Sequence, residues 1–185
     1  MRALAGMELL ALWALWAYSY LFRAPKAQKR ESITVAGPSL LGLLLETAGI
    51  FIAGFFGVPG GYRANPAVLA AALVLGVLGD VLMWGAITHL GRQFRIQAGL
   101  YHDHELVRGG PYAVVRHPIY ASLLALLLAT GLLRARLPWL LAALAVFVAG
   151  TEIRVHTEDR LLASRFGAAF AAYKKRVPAY VPFVR

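Results

Sequence analysis

The chain has 185 residues, of which 59% are hydrophobic and 15% are charged, and it contains no cysteine. This length is typical of one domain, residues 1–185, and the apolar composition indicates a lipid bilayer as its solvent. The absence of cysteine excludes disulfides, thiolate nucleophiles and cysteine-based metal sites. The net charge of +10 does not indicate nucleic-acid binding, because the basic residues fall in short loops, where they set membrane topology and meet anionic membrane lipids.

Five apolar stretches are predicted to be transmembrane helices, since crossing the hydrocarbon core takes roughly 20 apolar residues. They are residues 4–22, 38–58, 66–90, 118–133 and 137–153. We expect the third helix to begin with Asn65 as its N-cap and Pro66 in its first turn. Only a short connection separates the last two helices, which predicts an antiparallel hairpin. The predicted fold class is an all-α integral membrane protein with five transmembrane helices.

The basic residues predict the orientation of these helices. Fifteen of the 19 Lys and Arg residues lie on one side of the predicted bundle, which favours an outside amino terminus and a cytoplasmic carboxyl terminus. Two polar segments, residues 97–120 and 154–159, then share the cytoplasmic face. From residue 157 onward, apolar side chains recur at helical spacing with basic residues around the other face, which predicts a C-terminal amphipathic helix.

The first polar segment concentrates histidine, acid, arginine and tyrosine. His102, His104 and His117 superficially resemble metal ligands, but neither the His-Glu-x-x-His spacing nor a cysteine is present, so we predict no metal site. Arg116-His117-Pro118-Ile119-Tyr120 places a cation, an imidazole and a phenol where the fourth helix begins. That pattern fits a binding site, and equally a snorkelling arginine with an interfacial aromatic belt.

Two acidic residues fall inside predicted transmembrane helices. An unpaired charge there costs several kcal/mol, so Glu46 and Asp80 must be protonated, hydrogen-bonded or facing a polar cavity. Helix packing and a substrate cavity both remain open. Arg154 and Glu158 lie four residues apart on one helical face, where a local ion pair is the simplest interpretation.

Several separated motifs agree in order and spacing from about residue 90 to the end of the chain. They are Gln97, His104-Glu105-Leu106-Val107, Gly110-Pro111-Tyr112, Arg116-His117-Pro118-Ile119-Tyr120, Arg154, Glu158-Asp159, Phe166-Gly167 and Tyr173. Together they resemble the isoprenylcysteine carboxyl methyltransferase family. Two positions depart from that pattern: Ser122 stands where the family has glycine, and Glu158-Asp159 replaces its usual Glu-Glu pair.

The resemblance implies a membrane methyltransferase that uses S-adenosylmethionine without a Rossmann sheet, with a cofactor-binding half at about residues 90–185. Arg154 would anchor the methyl acceptor. The cofactor contacts carried over from the family pattern would be Gln97, His104, Glu105, Leu106, Val107, Tyr112, His117, Pro118, Ile119, Tyr120 and Glu158.

The best-known acceptor of the family is the carboxylate of an isoprenylated cysteine, a lipophilic substrate that would enter from the bilayer. Methylation of a phospholipid amine or a small thiol remains open. Further alternatives are a sterol-type reductase that binds NADPH and a non-catalytic membrane assembly factor. We expect the cell inner membrane in a prokaryote or the endoplasmic reticulum in a eukaryote, with the active site on the cytoplasmic face.

Overall fold

The computed structural model describes residues 1–23, 32–34, 36–57, 61–63, 65–94, 98–101 and 103–182. Within these ranges the chain forms five α-helices, and a π-helical turn, Ser19–Arg23, extends the first. The helices are α1 (Arg2–Tyr18), α2 (Ala36–Phe55), α3 (Pro66–Leu90), α4 (Pro118–Arg134) and α5 (Leu137–Arg176). Short 3₁₀ turns, Gly91–Gln93 and Gly110–Ala113, lie between α3 and α4.

The predicted fold class, an all-α integral membrane protein, is confirmed. Helices α1, α2, α3 and α5 are long and apolar enough to cross a membrane, while α4 is a shorter apolar helix of 17 residues. The predicted start of α3 is also correct: the Asn65 side chain accepts a hydrogen bond from the Ala67 amide at 2.8 Å, and Pro66 occupies the first turn. The cap satisfies a backbone donor that the helix leaves unpaired.

Helix α5 joins two elements that the sequence predicted separately. The fifth transmembrane stretch and the amphipathic helix form one helical element, which runs to Arg176 and ends before Pro178. Gly167 interrupts it with φ 48° and ψ −121°, a backbone conformation that glycine adopts without a Cβ penalty. The polar residues at 154–159 therefore lie within a continuous helix that rises directly from the apolar part of α5.

The helices pack in two main pairs, α2 against α5 and α3 against α4. Direct contact between α4 and α5 is slight, although only residues 135–136 connect them. Gly42 and Gly150 allow α2 and α5 to approach closely, since a Cβ on Gly150 would lie 2.6 Å from the Gly42 carbonyl oxygen. Small residues commonly permit such close contact between membrane helices.

Arginine side chains fasten the end of the bundle where α4 passes into α5. Arg63 Nη2 donates to the Ala135 carbonyl at 2.7 Å, and Arg134 Nε donates to the Gly54 carbonyl at 2.6 Å. The Arg134 guanidinium also lies over the Tyr62 ring, 4.7 Å from its centroid. These contacts tie the end of α2 and the residues before α3 to the junction of α4 and α5.

Two three-residue strands were not predicted. β1 (Ser32–Thr34) pairs antiparallel with β2 (Gly99–Tyr101), with Ile33 opposite Leu100. The pairing joins the connection between α1 and α2 to the connection between α3 and α4. Strand β2 also contacts α5, so the pairing holds this connection against the helix that carries the second polar segment.

Candidate active site

The start of α4 is held by the C-terminal end of the chain. Pro118 occupies the first turn and His117 is the N-cap residue. The backbone amides of Arg116 and His117 donate to the carbonyls of Pro178 and Ala179, both at 2.8 Å. Because these backbone amides are hydrogen-bonded, the side chains of Arg116 and His117 extend from a fixed segment of backbone.

His117 lies between two neighbouring carboxylates of α5. Its Nδ1 lies 3.2 Å from Glu158 Oε2, and its Nε2 lies 3.0 Å from Asp159 Oδ1. Asp159 Oδ2 accepts from Arg116 Nη2 at 3.1 Å and from Lys174 Nζ at 2.9 Å. Two sequence segments that the chain separates by some 40 residues are thus joined in one buried charge cluster.

Contacts within this cluster shift the pKa values of His117, Glu158 and Asp159. Burial lowers the pKa of His117, but hydrogen bonds and charge from Asp159 and Glu158 outweigh burial and raise it above the usual 6.5. Burial raises the pKa of Glu158, yet contact with His117 and Tyr120 brings it below the usual 4.5. His117 likewise holds the pKa of Asp159 well below its usual range, despite burial. The arrangement therefore favours an imidazolium between two carboxylates.

We expect the protein's stability to depend on pH through His117. The raised pKa of His117 gives stability that is fully present below pH 6.5 and lost as pH rises through the folded-state pKa. The lowered carboxyl pKa values give stability that is present above pH 4.5 and lost as pH falls through them. Above pH 6.5 the thermal midpoint in detergent should fall more steeply for the wild type than for His117→Asn; parallel curves would contradict the charged pair.

A second buried pair lies next to this cluster. Arg154 Nη1 donates to Glu46 Oε2 at 2.8 Å, and Thr151 Oγ1 donates to Glu46 Oε1 at 3.0 Å. The Arg154 guanidinium lies over the Tyr120 ring, 4.9 Å from its centroid, a favourable cation–π position. The Tyr120 hydroxyl in turn donates to Glu158. Glu46 thus links α2 to the site, which answers how its charge is accommodated within a membrane helix.

These side chains surround a cavity of about 180 Å³. A single water needs roughly 10–15 Å³, so an organic ligand has room. Polar groups of Arg116, His117, Arg154 and Glu158 line one part of the wall. The rest is largely apolar or aromatic and includes Trp16, Tyr20, Leu43, Leu90, Phe94, Leu100, Leu106, Val107, Tyr112, Ile119, Leu123, Leu161, Leu162 and Tyr173.

A family model described as the isoprenylcysteine carboxyl methyltransferase (ICMT) family matches residues 71–164, just over half of the chain. The chain belongs to the isoprenylcysteine carboxyl methyltransferase family. The resemblance that the sequence motifs indicated is therefore confirmed. The matched range begins within α3, so α1 and α2 lie outside it.

Curated proteins similar to this ICMT-family chain have more than one kind of name. It is 34% identical over 115 residues to the cobalt-zinc-cadmium resistance protein CzcN of Cupriavidus metallidurans, which covers 60% of this chain and 49% of that protein. It is 32% identical to protein-S-isoprenylcysteine O-methyltransferase of Schizosaccharomyces pombe (62% and 49% covered) and to O-methyltransferase B of Arabidopsis thaliana (60% and 58%). The chain spans about half the length of the curated relatives it matches.

Most of the residues that sequence analysis assigned to the site line this ICMT-family cavity. They are His104, Glu105, Leu106, Val107, Tyr112, His117, Ile119, Tyr120, Arg154 and Glu158. Gln97 lies outside the described residues. Pro118 is buried in the first turn of α4 and does not line the cavity. Within the part of the chain that the structure describes, no group of three or more His, Asp or Glu side chains could hold a metal ion.

Sequence reasoning did not assign several residues to the cavity. Trp16, Tyr20 and Leu43 come from the first half of the chain, which the motifs do not cover, while Gln93 and Phe94 follow α3. The Trp and Tyr enrichment of residues 4–22 was visible, but it is also typical of an interfacial belt. The charge of Glu46 within an apolar helix indicates that it has a polar partner, but the sequence does not identify that partner as Arg154.

Proposed function

We propose that this chain is a membrane methyltransferase that binds S-adenosylmethionine in the cavity and methylates a lipophilic acceptor, the carboxylate of an isoprenylcysteine-like substrate. The observation that carries the proposal is the contact of His117 and Tyr120 with Glu158. It closes one chamber from the connector before α4 and the polar part of α5, the two segments that hold the family motifs. Family membership supports the same reaction class.

The donors and acceptors of the wall suit this cofactor, which supplies a methyl group on a cationic sulfur. The Glu158 carboxylate can accept hydrogen bonds from an amino group. Arg116 Nε is buried and has no hydrogen-bond partner among the described residues, so it offers a donor to a carboxylate. Leu106, Val107 and Tyr112 give the apolar and aromatic wall that an adenine ring requires. The residues present therefore fit the group.

Arg154 is the residue we assign to the acceptor. Its guanidinium is buried and fixed between Glu46 and the Tyr120 ring, so it can orient an anionic group without further ordering. A carboxylate acceptor has no proton to lose, and one of its oxygens forms the new bond to the methyl carbon while the sulfur–methyl bond breaks. The chain therefore needs to position the acceptor and exclude water, and it needs no general base.

The membrane setting of the proposal follows from the ends of the helices. The cavity lies at the end of the bundle where α1 and α3 finish and α4 begins, and the excess of Lys and Arg favours the cytoplasm for that end. We propose an active site at the cytoplasmic face of the inner membrane in a prokaryote or of the endoplasmic reticulum in a eukaryote. The acceptor would enter the cavity laterally from the bilayer, in which its apolar part is dissolved.

Transfer of a labelled methyl group tests the proposal directly. The detergent-purified protein is incubated with methyl-labelled S-adenosylmethionine and a mixture of N-acetyl-S-isoprenylcysteines, phosphatidylethanolamine and a small thiol, and the products are identified by mass spectrometry. We expect label in the methyl ester of an isoprenylcysteine. Label in the phospholipid or the thiol would contradict the carboxylate acceptor, and no labelled product would contradict the reaction.

A further inference from the structure

The deep end of the cavity is closed by an indole from α1. Trp16 lines the cavity one helical turn further into the bundle than Tyr20, and Leu123 is the cavity residue of α4 that lies furthest along that helix. Trp16 also packs against the core cluster that contains Leu127 and Phe147, which do not line the cavity. The indole, together with Leu123 of the same cluster, therefore lies between the cavity and the apolar core beyond it.

Ser122 fixes this indole in place. Trp16 Nε1 donates to Ser122 Oγ at 3.0 Å, and the Ser122 hydroxyl donates to the Ile119 carbonyl at 2.7 Å. The Tyr20 ring stacks on the Trp16 indole, with ring centroids 5.2 Å apart and planes 15° apart. Ser122 is fully buried and stands where the family pattern has glycine, which could not accept the hydrogen bond. The fixed indole is thus a feature of this chain's own sequence.

A similar contact lies deeper in the bundle and away from the cavity. Trp13 Nε1 donates to Thr130 Oγ1 at 3.1 Å, and Thr130 donates to the Leu126 carbonyl at 2.7 Å. Neither Trp13 nor Thr130 lines the cavity. This second pair makes the same kind of hydrogen bond between α1 and α4, so it separates an effect on helix packing from an effect on the cavity.

We propose that Trp16, held by Ser122, is a specificity-determining residue that limits the length of the apolar chain an acceptor places in the cavity. This inference rests on the proposed function and adds to it the selection among lipophilic acceptors. Arg154 lies over the ring of Tyr120, and Leu123 follows three residues later, a rise of about 4.5 Å along α4. The distance from the acceptor's charged group to the indole floor is therefore short, and extension beyond it meets Trp16.

Removal of the Trp16 indole should increase methylation of the acceptors with longer apolar chains. We expect the wild type to favour the shorter members of an S-isoprenyl series, from N-acetyl-S-prenylcysteine to the S-geranyl and S-farnesyl compounds. Trp16→Ala opens space toward Leu127 and Phe147, and it should raise the farnesyl-to-prenyl ratio of kcat/KM by about tenfold or more, since single methylenes discriminate on that scale. Ser122→Ala removes both hydrogen bonds of the hydroxyl but keeps the indole, and it should raise the ratio severalfold.

Two further variants keep the test decisive. Trp16→Phe retains an aromatic ring and should fold even if Trp16→Ala does not, and we expect a smaller rise of the same ratio. Thr130→Val removes the matched hydrogen bond to Trp13 and should leave the ratio unchanged. Thr130→Val should also keep the wild-type affinity for S-adenosylmethionine, because neither Thr130 nor Trp13 lines the cavity.

The results separate the inference from the function on which it rests. Methylation of the series with an unchanged ratio in both Trp16 variants contradicts the inference alone. An equal shift in Thr130→Val also contradicts it, because the effect would then come from helix packing. If the wild type methylates no member of the series, the proposed function fails and the inference fails with it.

Discussion

Glu158→Ala is expected to weaken the binding of S-adenosylmethionine by roughly 30-fold to several-thousand-fold. Glu158 lines the cavity and is held by His117 Nδ1 at 3.2 Å and by the Tyr120 hydroxyl. Truncating one partner of a buried, hydrogen-bonded charge pair costs about 2–5 kcal/mol, which corresponds to that range of affinity. Isothermal titration of the detergent-purified variant measures the loss.

Glu152→Ala is the matched control for this measurement. Glu152 lies on α5 like Glu158, but it accepts a hydrogen bond from the Tyr180 hydroxyl at 2.6 Å and does not line the cavity. Its removal should leave the cofactor affinity unchanged. If Glu158→Ala binds as tightly as Glu152→Ala, the assignment of Glu158 to the cofactor is wrong.

Removing either partner of the Glu46–Arg154 pair is expected to destabilise the protein by about 3–5 kcal/mol. Both side chains are buried, Glu46 at 1% exposure and Arg154 at 7%. Glu46→Leu removes the carboxylate that accepts a hydrogen bond from Arg154 Nη1. Arg154→Met leaves the Glu46 carboxylate buried without the guanidinium that balances its charge. The free energy of unfolding, measured by denaturant titration in mixed micelles, reports both losses.

The double variant distinguishes a buried pair from two independent contacts. Replacing both partners with apolar side chains removes the uncompensated charge, so Glu46→Leu combined with Arg154→Met should be less destabilised than either single variant. Arg92→Ala removes a matched but exposed pair with Glu105, 3.9 Å apart, and should cost below about 1 kcal/mol. Additive losses in the double variant would contradict the coupling between α2 and α5.

The elements that the sequence predicted are those whose cause is local. Apolar length locates the membrane helices, and the start of α3 follows from Asn65 and Pro66. The family motifs identify both sides of the His117–Glu158 contact, because each motif lies within one short segment. The sequence did not predict that the last apolar stretch and the amphipathic helix are continuous, because residues 153–157 contain neither a helix-breaking residue nor a pattern that requires continuity.

The features that the sequence could not predict depend on long-range packing. A charged Glu46 within an apolar helix indicates that it has a polar partner, but only the packing of α2 on α5 determines that the partner is Arg154. Trp16 becomes a wall of the cavity because α1 meets Ser122 on α4. Strands of three residues such as β1 and β2 are too short for a period-2 pattern to distinguish them from a loop.

Isothermal titration of the wild-type protein with S-adenosylmethionine and, separately, with NADPH is the most direct measurement. The cavity between the connector before α4 and the polar part of α5 is predicted to bind S-adenosylmethionine and to give no heat with NADPH. Binding of NADPH alone would make the chain a reductase, and binding of neither would leave a membrane protein without the cofactor chemistry proposed for it; either result contradicts the account.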